Sequence, residues 1–160
     1  MAINGYIEME GIEGNSQIKA GAVDVLSFSF GASMPISYGA GGSGFESTAG
    51  QVSVSDFSFM MMSNKTTPEI FGHCCAGHHI PKVTMTYLKQ VGDAQEAFFK
   101  VLVEDVLFSS VQLSGSQEAP IVSVSCHGEK VKVSYNPEDN EGKLAGFIDR
   151  GWDLGTNTKW

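Results

Sequence analysis

The densest grouping of chemically capable side chains is His73-Cys74-Cys75-Ala76-Gly77-His78-His79, and its chemistry would be metal binding. Cys74 and His78, like Cys75 and His79, stand four positions apart, a spacing that stacks two ligands on one helix face. A zinc-binding protein built on the cluster from His73 to His79 is therefore one reading of the chain. Against it, Gly77 is a natural helix terminator, which would end the helix before either pair could form. Structural zinc also takes four converging ligands, and no second pair stands elsewhere at a standard spacing. The expectation is that Cys74 packs inward as a small apolar group, that the histidines occupy the exit loop, and that neither metal nor other cofactor is held.

Nucleophilic and acid–base chemistry have less support. Serines are abundant, but none lies in a strand-turn-helix elbow, and Gly42-Ser43-Gly44 lacks the flanking strand and helix that would strain a nucleophile into exposure. Asp24, Asp56 and Asp105 fall on different predicted strands, where each reads as a solvated carboxylate. The glycine-rich run is no phosphate cradle. It lacks the Lys-Ser/Thr of a P-loop and leads into a strand rather than a helix N-terminus. No catalytic residue is assigned, and the chain reads as a building block, not an enzyme.

The elements that would position these groups are mostly strands. In Val23 to Gly31, Leu26, Phe28 and Phe30 alternate with Val25, Ser27 and Ser29, predicting one half-buried strand with an aromatic core face and a small uncharged face. In Gln51 to Met60 the phase slips at Asp56, as a β-bulge would require. Lys82 to Leu88 alternates cleanly, and Ala97 to Leu113 is a long β-branched stretch predicted to bend near Glu104-Asp105. In Ile121 to Tyr135, His127-Gly128-Glu129 is either a tight turn or a bend. With Ile3 to Met9 and Phe147 to Leu154, the count is about seven or eight strands, enough for a compact β-barrel or sandwich. One short helix is predicted: Thr at the N-cap, Pro68 at its first position, Glu69 in the first turn, Ile70, Phe71 and Cys74 at helical spacing, and Gly77 at its end.

Composition agrees with one globular domain over 1–160. The 160 residues are 42% hydrophobic and 18% charged, enough for a core without staples. The net charge of −8 without a Lys/Arg cluster argues against nucleic acid. No window reaches the roughly 18 apolar residues of a membrane helix, so no membrane insertion is expected. Three cysteines without framework spacing and a start lacking signal-peptide character predict folding in a reducing cytosol and, if exported, exit without a cleaved leader.

Between strands lies an extended glycine-rich arm, Tyr38 to Gly50, longer than the about two to five residues a corner needs. Tyr38, Gly41, Gly42, Ser43, Gly44, Phe45, Glu46, Ser47 and Thr48 are candidate inter-subunit or inter-ring contacts, with Tyr38 and Phe45 as anchors. Sheet edges show no systematic proline or lysine protection, so pairing with another copy is expected. The alternative is a monomeric β-sandwich ligand-binding module with a groove near the arm.

The order of these pieces resembles the Hcp family, the haemolysin-coregulated proteins of type VI secretion systems. The resemblance covers nearly the whole chain. It rests on Ile3-x-x-Tyr6-Ile7, Gly11-Ile12-Glu13-Gly14-Asn15-Ser16, the strand Asp24 to Gly31, and Gly50 to Phe59. Lys65-Thr66-Thr67-Pro68 is similar to the family's helix start, with Asn64 where aspartate is usual. Gly77-His78-His79-Ile80-Pro81, Val131-x-Val133-x-Tyr135-x-Pro137 and Gly151-Trp152-Asp153-Leu154-x-x-Asn157 complete it. Departures are His73-Cys74-Cys75 in the helix, and Phe28 and Phe30 where tryptophan is frequent.

The resemblance implies a structural subunit of the inner tube: hexameric rings that stack, carry or chaperone effectors, and are expelled by a contractile sheath behind a spike protein. Such a subunit is cytoplasmic before firing and afterwards secreted to the medium or a target cell. Ser27 and Ser29 are the candidate channel-facing cargo contacts, because they oppose the aromatic face of their strand.

Overall fold

The computed structural model describes residues 4–38 and 47–160; of residues 37, 38 and 47–49 only the backbone is described. In chain order the elements are β1 (Asn4–Met9), β2 (Val23–Asp24), β3 (Ser27–Ser29), β4 (Ala32–Ser33), β5 (Ile36–Tyr38), β6 (Ser47–Ala49), β7 (Ser53–Val54) and β8 (Phe57–Met62). There follow α1 (Thr67–Ala76), β9 (Ile80–Val91), β10 (Ala94–Ser114), β11 (Ile121–Tyr135), β12 (Ile148–Asp153) and β13 (Thr158–Lys159). Among the described residues the chain is mostly β with one short helix, as its periodicity predicts. The seven strand-bearing segments are all present, but two of them divide, and short strands raise the count.

The main antiparallel sheet runs β13-β12-β11-β10-β9-β1-β2, with β8 pairing both β11 and β3. The predicted single strand from Val23 to Gly31 divides at its centre. Val23 and Asp24 pair with β1, while Ser27 to Ser29 pair with β8. The exchange occurs at Val25 and Leu26, whose amides donate to Gly5 O at 3.0 Å and Met60 O at 2.8 Å. This handover brings the sheet back toward itself without a continuous closing ladder, giving a sandwich-like, incompletely closed barrel. It also corrects the expected phase: Val25 packs on the core, whereas Leu26 is 53% exposed.

The slip at Asp56 has a similar cause. No bulge within one strand is involved. The chain leaves β7, which pairs with β4, and enters β8, which pairs with β11 and β3. A change of partner reads in sequence like an inserted residue, because both shift the inward phase by one.

The long strand β10 is irregular where expected, and the open question in β11 is resolved against a turn. Asp105 takes φ 54° and is skipped in the registers of β10 with both β9 and β11. At His127 to Glu129 the chain does not turn: β11 continues through, pairing with β8 up to Cys126 and with β12 from Lys130 onward. Gly128 sits at the closest approach of β10. A Cβ there would collide with Val103 Cγ1 and lie 2.8 Å from Glu104 O.

Core side chains come from both layers, with Phe57, Phe59, Met61, Val83, Met85, Val101, Val103, Val122 and Val124 essentially inaccessible. Each contributes on the order of 1.5–3 kcal/mol by burial. Phe28 joins Phe57, Tyr87 and Phe99, with ring centroids 6.3, 5.5 and 5.8 Å away.

The helix begins at Thr67, so Pro68 takes its second position. Thr66 makes no side-chain cap bond there. Asn64 organises the entry instead, its Oδ1 accepting from Thr66 N at 2.8 Å and Thr66 Oγ1 at 2.6 Å. Gly77 terminates the helix at φ 66°. Ile70 is buried, whereas Phe71, expected on the same inward stripe, is 48% exposed.

Candidate functional site

Strand register gathers small uncharged side chains onto one outward face. Directly opposed residues of antiparallel strands point to the same side of the sheet. Ser29 lies opposite Ser58, Ser58 opposite Ser125, and Ser125 opposite Ser110. The next outward row is Ser27, Met60, Ser123 and Gln112. Between them runs an inward row, Phe28, Phe59, Val124 and Val111, in which Phe59 and Val124 are buried. Ser27 and Ser29 are both exposed. Ser58 and Ser125 share a hydrogen bond of 2.9 Å between their hydroxyls. A shallow depression over Ser27, Ser29, Ser58, Met60 and Ser123 measures about 170 Å³.

This face is uncharged along both rows and gains charge at one margin. Asp56 Oδ1 lies 3.3 Å from His127 Nδ1, and Ser109 Oγ donates to Asp56 Oδ2 at 2.6 Å. Ser109 is the residue skipped in the β10–β11 register between Phe108 and Ser110, so a bulge supplies its position. Behind the margin, burial and secondarily the Asp56 charge push the Cys126 thiol up to about 12. It stays protonated and unreactive at neutral pH.

The metal-like cluster is taken apart by the helix end. His73 Nδ1 lies 2.8 Å from Glu69 O, and His79 Nδ1 lies 3.0 Å from Asp105 Oδ1. His78 stacks edge-on with His73, ring centroids 5.6 Å apart. Cys74 packs against the core and Cys75 is exposed. Among the described residues, no three His, Cys, Asp or Glu side chains are grouped to hold a metal ion. Nor do the three aspartates meet as acid and base: Asp24 accepts from Ser16, Asp56 from Ser109, and Asp105 pairs with His79.

Of the arm residues, Gly41, Gly42, Ser43, Gly44, Phe45 and Glu46 lie outside the described residues. Tyr38, Ser47 and Thr48 belong to the β5–β6 hairpin, where Tyr38 pairs with Ser47 and Ser37 with Thr48. Sequence reasoning missed Ser58, Ser110, Ser123 and Ser125 as companions of Ser27 and Ser29. Their alternation with Phe59, Val122 and Val124 was visible, but which strands adjoin was not.

No helix among the described residues is long and apolar enough to cross a membrane. A family model described as type VI secretion system effector, Hcp, matches residues 6–135. The protein hcp1 of Pseudomonas aeruginosa is 32% identical over 112 residues, which span 68% of this chain and 69% of that protein. The solved structure of Hcp1 from Salmonella typhimurium superposes with a TM-score of 0.79 at 25% identity, covering the whole of both chains. A structure described as a type six secretion system protein reaches a TM-score of 0.86 at 24% identity over 99% of this chain and 100% of that one.

Proposed function

This chain belongs to the Hcp family of the type VI secretion system, and we propose that it serves as the repeating structural subunit of the inner tube. In this reading, six copies close a ring, rings stack, and the serine-lined face turns toward the channel. Effectors ride against that face, and the loaded rings leave the cytoplasm when a contractile sheath drives them out behind a spike protein. No catalytic step is assigned to it.

The observation that carries the channel assignment is the unbroken uncharged face spanning β3, β8, β11 and β10 in a chain of net charge −8. Hydroxyl and thioether groups offer cargo many weak, reversible contacts without an ionic trap. A face that must hold a protein and later release it needs that balance. The arm, with Tyr38, Ser47 and Thr48 at its base and Gly41 to Glu46 beyond, is proposed to contact a neighbouring subunit or ring.

Size-exclusion chromatography with light scattering tests the assembly: a mass about six times the 17.1 kDa subunit is expected from cyclic closure. A single-subunit mass at all concentrations would favour the monomeric ligand-binding alternative. Ser29→Gln tests the channel face. It should leave the ring mass unchanged and reduce co-purified effector about ten-fold, because a bulky amide projects where cargo packs closely. Equal retention by both proteins would remove Ser29 from the channel wall.

A further inference from the structure

A second surface, apart from the serine rows, has the chemistry of a receptor. A groove of about 480 Å³ opens between the β4–β7 pair and the β11–β12 ladder. Register places Val131 opposite Trp152 and Val133 opposite Arg150, so all four share one face. Phe30, Met34 and Val54 form the opposing wall. Its floor is continuous with the core, since Val131 is buried and Phe30, Val54 and Trp152 pack against the same cluster. Arg150 is the sole arginine of the chain. Its Nη1 donates to the Asp149 carbonyl oxygen at 2.7 Å, and it takes part in no ion pair among the described residues.

An apolar trough with one forked cation on its wall selects a large apolar side chain carried beside a carboxylate. The chain itself carries such a pair. In residues 39–46, Phe45 and Glu46 are the two side chains larger than serine. We propose that the groove receives Phe45-Glu46 of a second copy of this chain, the ring entering the trough and the carboxylate meeting Arg150. This inference rests on the reading of the chain as a self-assembling subunit and names the surface that its arm engages. The groove rim at Met34 and Val52 adjoins the base of the β5–β6 hairpin. Three paired positions separate that rim from residues 39 and 46 by about 10 Å of strand. Glycine-rich tethers beyond such a stem have the reach to meet a neighbour.

Arg150→Glu and Glu46→Arg, each alone, should weaken assembly about ten-fold or more in sedimentation velocity. An equimolar mixture of the two single variants should assemble better than either alone, since half its contacts regain opposite charges. The double variant should recover most of the wild-type assembly. Phe45→Ala should weaken assembly by a similar factor and gain nothing from the Arg150→Glu partner. If wild type assembles and Arg150→Glu assembles equally well, the groove inference falls while the tube reading stands. Recovery in the double variant but not in the mixture would mean that each arm occupies its own groove, overturning the second-copy occupant. A wild type that never assembles would overturn the tube reading and this inference together.

Discussion

The three thiols differ in what surrounds them, and their chemistry should differ accordingly. Cys75 is exposed, Cys74 half-buried and Cys126 buried. A maleimide applied to native protein should label Cys75 and spare Cys126 until denaturant is added; rapid native labelling of Cys126 would contradict its packing. Cys126 also makes stability depend on alkaline pH. Its thiol rises from 9.0 to about 12 on folding, through burial first and the Asp56 carboxylate second. In that interval the native state holds a proton that the unfolded chain has lost. The contribution is therefore intact below about 9 and is lost as pH climbs toward about 12. Between pH 9 and 11, wild-type stability should fall more steeply than that of Cys126→Ala, by up to roughly 1.4 kcal/mol per pH unit. Parallel slopes in urea titrations would exclude this linkage.

At the scale of elements, the continuous strand β11 connects two ladders that would otherwise be separate. Its first half holds β8 and its second half β12, so the outward serine rows and the Arg150 groove are placed by one strand. Gly128 lets β10 come close to it at the point where the neighbour changes. Gly128→Ala should cost about 1–3 kcal/mol, because the methyl group meets Val103 and the Glu104 carbonyl in a packed interior. Chemical denaturation measures the loss, and adding Val103→Ala should return part of it. A Gly128→Ala protein as stable as wild type would show that the strands can part without penalty. This element was half legible in the sequence. The change of phase after Cys126 announced an irregularity, but a turn and a bend shift alternation alike, and only the neighbouring strands distinguish them.

For the whole molecule, the proposed assembly would have to overcome a net charge of −8 on each copy. Apolar and backbone contacts have to carry the interface, and added salt should favour it by screening the mutual repulsion. Deleting Gly41 to Ser47 should leave a folded monomer, because the long ladders among β1, β9, β10, β11 and β8 lie elsewhere. The same deletion should weaken ring closure or stacking. Circular dichroism reports the first outcome and sedimentation the second. Unchanged assemblies would reduce the arm to a passive connection.

Local information in the sequence determined the β class, the short helix ended by Gly77, the irregularity at Asp105 and the order of motifs that marks the family. Each of these follows from alternation, capping or backbone preference within a few residues. Tertiary structure alone decided where Val23 to Ser29 and Ser53 to Met62 change partners, which exposed Leu26 and turned Val25 toward the core. It also decided that serines from four strands would share one face, and that Arg150 and Trp152 would open onto the same groove as Phe30. The physical reason is that a strand's own pattern names its inward side but not its neighbour. Neighbours are chosen by contacts between residues far apart in sequence, once the chain has returned on itself.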